Sequence, residues 1–215
     1  MNPILHLITK QGTPSELAHM YDLRPATATD VAAMLAIYRP FIEDGFASFE
    51  EEVPSLDEFE RRRIHYQATA PWLVATHQGQ VIGYAYAAAH RGRPAYRWTK
   101  ELSVYLHPDH QGHGVGRVLY AALLDVLSWQ GYANVLAGVA LPNPASERFH
   151  EKMGMQLIGT YHRVGFKHGR FCDVRWYELF IGNPDEPVGI IKDLPTYWQG
   201  DHWSATRQKA IGLMG

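Results

Sequence analysis

The hydrophobic and polar positions of this chain follow two periods, one typical of helices and one typical of strands. Val31, Met34, Leu35 and Tyr38 share one face of a helix, and Ser55 starts a second helix with the capping-box spacing. In chain order the pattern predicts a strand at 23–26, helices at 27–43 and 55–67, strands at 72–76, 81–90 and 97–106, a helix closed by Gly131, a strand at 134–141, a helix at 145–153, and strands at 156–164 and 172–180. This order, β-α-α-β-β-β-α-β-α-β-β, indicates one domain of mixed α/β (α+β) class.

The two ends of the chain fall outside this pattern. We predict an N-terminal extension at 1–22, a domain at 23–182 and a C-terminal tail at 183–215, with Pro184 and Pro187 marking the exit from the domain. The tail carries Tyr197, Trp198 and Trp203, and free tails are rarely so aromatic. We therefore expect it to pack on the domain or on a partner subunit.

The most specific motif joins the strand at 97–106 to the following helix. Its loop contains Gly112, Gly114 and Gly116, and the helix begins directly after it. Glycines let a backbone approach a ligand closely, and the first N–H groups of a helix have no partner inside it. Together with the helix dipole, these features predict an anion site that suits a phosphate.

Two common phosphate-binding families do not fit the loop. A dinucleotide fold needs G-x-G-x-x-G and an acidic residue at the end of the next strand, and the strand at 134–141 carries no acid. A P-loop needs a lysine followed by Ser or Thr, where this chain has Arg117 and Val118. The motif still to be explained is Gln111-x-x-Gly114-x-Gly116. The alternative to a phosphate site is a glycine-rich turn that only links the strand to the helix.

Composition narrows the class of protein. With 215 residues and 46% hydrophobic side chains the chain can bury one core, and a net charge of −2 gives no electrostatic footprint for nucleic acid or an anionic membrane. Its single cysteine, Cys172, excludes an internal disulfide and favours a reducing, cytoplasmic compartment. No apolar run in the sequence reaches the ~18 residues of a membrane span.

The motif Gln111-x-x-Gly114-x-Gly116 resembles the pyrophosphate loop of the GNAT superfamily of N-acetyltransferases, and the predicted element order matches that family over residues 22 to 181. The resemblance implies a twisted, mostly antiparallel mixed sheet flanked by helices, with a V-shaped splay where acetyl-CoA binds. It implies a bulge in the strand before the loop, whose backbone pairs with the cofactor arm. The cofactor-binding residues implied are Val104, Tyr105, Leu106, Gln111, Gly112, His113, Gly114, Val115, Gly116, Arg117, Asn143 and Ser146.

Glu101 is a carboxylate in a strand otherwise rich in apolar residues. Such a group is costly unless it faces solvent or has a chemical role. Residues 96–105 resemble a segment of the phosphinothricin and methionine sulfoximine acetyltransferases, one branch of the superfamily. The resemblance implies that Glu101 is the catalytic base, acting directly or through water, and that the enzyme is a homodimer.

His150 departs from the general family pattern. Many GNAT enzymes have Asn-x-x-Ser/Ala-x-x-x-Tyr, and here His150 replaces the tyrosine that follows Asn143 and Ser146. The phosphinothricin branch carries the same histidine. A histidine can give a proton to the leaving sulfur, because its pKa normally lies near neutrality. The alternative is a structural histidine on a helix.

The acceptor site is expected between the first two helices and the middle of the sheet. Phe49 and Glu50 follow the first helix, and Arg93 precedes the Glu101 strand. An arginine can hold an amino-acid carboxylate through a bidentate pair, so we expect Arg93 to do so. Residues 165–174 also resemble the phosphinothricin branch and would line this pocket or a subunit contact. Surface charge and a polar turn remain the alternatives.

Three histidines offer a competing interpretation. His107, His110 and His113 are spaced by three, and imidazoles bind zinc. They straddle Pro108 and the glycine loop, which a cofactor would occupy, and only Asp109 is at hand to complete a ligand set. We therefore expect no metal.

The sequence thus predicts an acetyl-CoA-dependent N-acetyltransferase, with the amine of a small amino acid or analogue as acceptor. Other acceptors stay open, namely a polyamine, an aminoglycoside or a protein N-terminus. A non-catalytic acyl-CoA sensor is the alternative from a different class, and loss of the glutamate at position 101 would have favoured it. Nucleic acid and membrane are not expected as partners.

Overall fold

One seven-stranded sheet carries the fold. The computed structural model describes residues 21–183, 185, 186 and 188–214. The strands are β1 (Tyr21–Pro25), β2 (Trp72–His77), β3 (Gln80–Ala89), β4 (Thr99–Leu106), β5 (Asn134–Ala140), β6 (Gln156–Lys167) and β7 (Arg170–Phe180). The helices are α1 (Val31–Glu43), α2 (Leu56–Gln67), α3 (Val115–Gln130), α4 (Pro144–Lys152), α5 (Leu194–Gln199) and α6 (Asp201–Ile211).

The strands lie in the order β1-β2-β3-β4-β5-β7-β6. Neighbouring strands run antiparallel except β4 and β5, which are parallel and are joined through α3. The predicted mixed, mostly antiparallel sheet is confirmed. β4, α3 and β5 follow one another in the chain. A helix that connects two strands carries the chain back along the sheet, so the second strand runs parallel to the first.

The apolar side chains of the sheet contribute to two separate cores, one on each face. Trp72 and Val74 pack with α1 and α2, in a core that also holds Tyr84. Leu73 and Ala75 belong to the other core, which is built on α3. Because successive side chains of a strand point to opposite faces, the continuous apolar run of β2 supplies both cores, as a strand covered on both faces does.

Several predicted boundaries need correction. Thr27 caps a short 3-10 turn, Ala28–Asp30, and α1 follows it. β4 begins at Thr99, two residues later than predicted, because Pro94–Tyr96 form another 3-10 turn that ends at Arg97 in helical conformation. β6 runs on to Lys167, and its hairpin turns at His168 and Gly169, both with positive φ.

The tail forms α5 and α6, which the sequence pattern did not predict. Tyr197 is buried, and with Leu194 it packs against Val126 of α3. Asp125 of α3 accepts a hydrogen bond from Thr206. These contacts lie within the same chain. Of the predicted N-terminal extension, only residues 21 and 22 are described, and both belong to β1.

The end of the tail lies beside the glycine loop. A Cβ built on Gly114 would stand 3.8 Å from the Cα of Met214. Arg207 of α6 also pairs with Asp22 of β1 at 2.7 Å. The tail therefore connects the first strand, α3 and the loop. None of the helices in the described part of the chain is both long enough and apolar enough to cross a membrane.

Candidate active site

A cleft opens where β4 and β5 part. The two strands pair only over Thr99–Glu101 and Asn134–Leu136. Beyond these positions β4 stays paired with β3, and β5 stays paired with β7. Between the diverging halves lies a cavity of about 570 Å³. The predicted V-shaped splay is therefore present, and the edge of β4 that faces β5 is free from Leu102 onwards within the described sheet.

The splay does not come from a bulge in β4. Gly83 to Ala89 of β3 pair one to one with Leu106 to Lys100 of β4, so the register shows no interruption along these described strands. The expectation of a bulge was wrong. Divergence from β5 alone leaves the N–H and C=O groups of one β4 edge without a strand partner, and such an edge can pair with an extended ligand.

The glycine loop has the geometry of an anion site. Gly112 and Gly114 adopt φ of +78° and +84°, a conformation that other residues rarely tolerate. Gly114 caps α3, so the free N–H groups of the first helical turn begin directly after it. A Cβ on Gly116 would lie 3.4 Å from the ring of Phe149, so a larger residue would crowd α4 against the loop.

The cavity brings together most of the predicted cofactor-binding residues. Those that line it are Val104, Tyr105, Leu106, Gln111, Gly112, Gly114, Gly116, Arg117, Asn143 and Ser146. His113 and Val115 do not line it, and Val115 is buried in the α3 core. Arg148 and Lys152 of α4 also line the cavity and were not predicted. Their spacing of four places them on one helical face, and with Arg117 they give the cleft a cationic wall.

Asn143 organises the start of α4. Its side-chain carbonyl accepts a hydrogen bond from the N–H of Ser146 at 3.1 Å and so caps the helix. The NH₂ group of the same side chain takes no part in this cap, and Asn143 also lines the cavity. The residue therefore combines a capping role with a position suited to ligand contact.

His150 lies on the cavity wall and is buried. Its Nδ1 stands 2.8 Å from the carbonyl oxygen of Ser146, so the proton on Nδ1 is donated there and Nε2 is the second, free position of the ring. The ring stacks on Tyr177 with centroids 5.7 Å apart. Burial lowers the pKa of His150, and the hydrogen bond to Ser146 opposes that shift only in part. The neutral imidazole is thus favoured.

Glu101 is the last residue of β4 that pairs with β5. Its side chain is 35% exposed, and one carboxylate oxygen lies 2.6 Å from Nδ1 of His90. The cavity wall starts at the next residue, Leu102. His90 was missed by the sequence analysis. A prediction of the β3–β4 register, with Ala88 opposite Glu101, would have placed it nearby.

The loop after α1, which carries the predicted acceptor residues Phe49 and Glu50, packs on the β6–β7 hairpin. The ring of Phe49 covers Gly165, where a Cβ would stand 2.6 Å from the ring. Lys167 donates to the carbonyl of Ser48 at 2.7 Å. The hairpin therefore packs on the loop after α1, and neither Phe49 nor residues 165–174 are among those that line the cavity.

The carboxylate of Glu50 is engaged by two groups. It accepts hydrogen bonds from Tyr38 at 2.9 Å and from Arg62 at 2.5 Å. Burial raises the pKa of Tyr38, and the negative charge of Glu50 adds to this effect. Arg93, by contrast, is exposed and caps the turn Pro94–Tyr96. The structure therefore places Glu50 inside a polar network and Arg93 on an open surface before β4.

The three loop histidines do not converge on a point. The rings of His107 and His110 are 5.9 Å apart, and Nδ1 of His107 accepts a hydrogen bond from the N–H of Asp109. In the described ranges, no group of three His, Cys, Asp or Glu side chains is arranged to hold a metal ion.

Comparison with known proteins agrees with this geometry. The model of the family described as "Acetyltransferase (GNAT) domain" matches residues 23–176. The chain belongs to the GNAT acetyltransferase family. This confirms the family inferred from the loop motif and the element order, and members of the family use acetyl-CoA.

The relatives include enzymes of the branch that residues 96–105 suggested. A phosphinothricin N-acetyltransferase of Streptomyces viridochromogenes is 39% identical over 77% of this chain and 91% of its own. An L-methionine sulfoximine/L-methionine sulfone acetyltransferase of Salmonella typhimurium is 34% identical over 77% and 97%. A phosphinothricin acetyltransferase from Sinorhizobium meliloti, solved in complex with AcCoA, superposes with a TM-score of 0.75 at 34% identity, covering 79% of this chain and 94% of that one.

The loop assignment predicts the effect of Gly114→Glu. A side chain there meets strain from the positive φ and brings negative charge to the anion site, so affinity for acetyl-CoA in calorimetry should fall beyond detection.

The matched control is Gly79→Glu, which has nearly the same φ of +80° but sits in open space at the β2–β3 turn. It should bind acetyl-CoA as the unchanged protein does, and thermal unfolding reports any strain that the two variants share. Equal affinity in both variants would contradict the loop assignment.

Proposed function

We propose that this protein is an acetyl-CoA-dependent N-acetyltransferase that acts on the α-amine of a small amino acid or analogue, of the phosphinothricin and methionine sulfoximine type. The position of Glu101 carries the proposal. A carboxylate at the point where β4 leaves β5 stands next to a cavity with a free strand edge and an anion-binding loop. The names of the relatives point to the same acceptor class.

The residues of the cleft fit the cofactor. The free edge of β4 at Val104, Tyr105 and Leu106 suits the amide groups of an extended arm, and the loop from Gln111 to Arg117 suits a diphosphate. Arg148 and Lys152 add cations for further phosphate charge. Acetyl-CoA supplies an acetyl group activated as a thioester, and we propose no metal.

Glu101 acts as the base. Its carboxylate, directly or through a water molecule, takes one proton from the acceptor ammonium and leaves an amine with a free electron pair. Backbone N–H groups on the free edge of β4 stabilise the negative charge that develops on the carbonyl oxygen when the amine attacks.

His150 completes the proton transfers. With the Nδ1 proton donated to Ser146, Nε2 of the neutral imidazole takes the proton that the attacking nitrogen loses as the amide forms, and gives that proton to the sulfur as the C–S bond breaks. Burial lowers the pKa of His150, so the imidazole begins this step in its neutral form.

Arg93 and Phe49 define the acceptor side of the proposal. Arg93 is exposed and precedes the strand that carries Glu101, and we propose that its guanidinium binds the carboxylate of an amino acid whose ammonium is at Glu101. Phe49 is 40% exposed at the edge of the hairpin and would contact the acceptor side chain. Glu50, whose carboxylate accepts a hydrogen bond from Arg62, stabilises the loop that carries Phe49.

A homodimer is part of the proposal. β6 is an edge strand of twelve residues whose side chains are mostly exposed. Apolar side chains that are about half exposed on it and on β7 include Leu157, Ile158, Tyr161, Val164, Phe166 and Phe171. A long apolar edge is unfavourable unless another chain covers it.

We also propose that the protein is cytoplasmic. A buried free thiol at Cys172 fits that reducing compartment.

The role of Glu101 predicts a large effect of Glu101→Gln. The amide keeps the shape and loses the basic oxygen, so kcat at neutral pH should fall about 100-fold or more while calorimetric affinity for acetyl-CoA stays unchanged. Glu43→Gln, an exposed carboxylate at the end of α1, is the control and should keep full activity. Turnover within a few-fold of the unchanged enzyme would assign the base to another group.

The acceptor class is tested by turnover with methionine sulfoximine, phosphinothricin, free amino acids and polyamines. We expect activity on the first three classes. Arg93→Ala should lower kcat/KM for acceptors with a carboxylate by about 10-fold or more, the scale of one charge-assisted hydrogen bond of ~1.5–3 kcal/mol, and should spare an amine without one.

Arg39→Ala, on the exposed face of α1, is the control for loss of a surface charge. An equal loss on both kinds of acceptor would show that Arg93 is structural. Preference for polyamines would replace the amino-acid assignment, and binding of acetyl-CoA without turnover of any amine would favour a sensor.

The dimer is tested by light scattering. The protein at micromolar concentration should have the mass of two chains, and Val164→Glu on β6 should reduce that mass to one chain by placing a charge in the covered surface. Leu56→Glu is the control, since Leu56 is similarly exposed at the start of α2. A single-chain mass for the unchanged protein would contradict the proposal.

A further inference from the structure

The base proposed above has a partner that the family resemblance did not indicate. Nδ1 of His90 lies 2.6 Å from Oε1 of Glu101, a short distance for a hydrogen bond between a ring nitrogen and a carboxylate. Only one of the two carboxylate oxygens makes this contact. The other, Oε2, is left for water or an acceptor.

Arg91 fixes the tautomer of His90. Its Nε–H donates to Nε2 of the imidazole at 3.2 Å. Because a guanidinium has donors and no acceptor, Nε2 must accept, and the ring proton must therefore be on Nδ1. The result is a directed chain in which Arg91 donates to His90 and His90 donates to Glu101.

The surroundings hold the ring in place. The side chain of His90 is only 14% exposed, and its ring meets the edges of Tyr96 at 5.6 Å and Trp176 at 6.2 Å. The guanidinium of Arg91 also stands 5.9 Å from the ring of Tyr96. The charged and titratable groups seen to face His90 are thus Arg91, Tyr96 and Glu101.

The sheet itself builds the contact. Ala88 of β3 lies opposite Glu101 of β4, and His90 follows two residues later on the same face. Diagonal neighbours on an antiparallel pair are within reach of long side chains. The contact therefore depends on the register of two strands rather than on a mobile loop.

We propose that His90 is a positioning residue for the base. It donates a hydrogen bond to Oε1 of Glu101 and directs Oε2 towards the acceptor ammonium. His90 does not itself take the proton, because Arg91 occupies Nε2 and the Nδ1 proton is already given to Glu101. This inference rests on the proposed role of Glu101.

The proposal predicts a loss of rate with little loss of acceptor binding. His90→Phe removes the donor and keeps a ring of similar size. Because nothing then holds Oε2 of Glu101 towards the ammonium, we expect kcat to fall about 10-fold at neutral pH while KM for the acceptor changes little.

His90→Asn is the matched control. Its side-chain NH₂ stands near the place of Nδ1 and can donate to the same oxygen. It should restore most of the rate that His90→Phe loses. Calorimetric affinity for acetyl-CoA and the thermal midpoint should be the same in both variants, which separates positioning from loss of the fold.

A double variant separates this inference from the role of Glu101. If His90 acts through Glu101, adding His90→Phe to Glu101→Gln should lower the rate no further. An unchanged kcat in His90→Phe, or an equal rate loss in His90→Asn, would overturn the positioning role while leaving Glu101 as the base. Full activity of Glu101→Gln would instead remove the proposed function on which the inference rests.

Discussion

The parallel pairing of β4 with β5 stops after three residues of each strand, and the rest of the site depends on that limit. If the strands stayed paired, the cavity between them would close and the edge of β4 would be used by β5. Because they part, the backbone of β4 is free where the glycine loop begins, and Glu101 stands at the fork. One interruption in a ladder of hydrogen bonds thus provides a free strand edge for a ligand, an entry to the glycine loop and the position of the proposed base.

β4 serves two sides of the protein with alternate residues. Leu102 packs into the core built on α3, whereas Tyr105 meets Tyr38 and Phe41 of α1. Glu101 shares its face with Tyr105, by the two-residue period of a strand. In the proposed reaction the thioester and the acceptor therefore approach the same strand, whose other side chains pack into the core built on α3.

Much of the fold and the cleft could be predicted because their signals are local. The capping box at Ser55, the periodicity of α3 and the spacing of Gln111, Gly114 and Gly116 each need only a few neighbouring residues. What was missed depends on contacts distant in sequence. The pairing of His90 with Glu101 requires the β3–β4 register, and α5 and α6 are ordered by packing on α3. The expected bulge failed for the opposite reason, because it was taken from the family and no local signal supported it.

The position of the tail has a practical consequence for anyone who produces this protein. Met214 lies against Gly114, and α6 is tied to β1 and α3 by Arg207 and Thr206. A purification tag or fusion partner joined after Met214 would start beside the glycine loop, the proposed site of the cofactor's phosphates. The choice of which end to tag therefore also affects access to that loop. Weak binding of acetyl-CoA measured on a protein tagged at the C-terminus would reflect obstruction by the tag as much as the affinity of the enzyme.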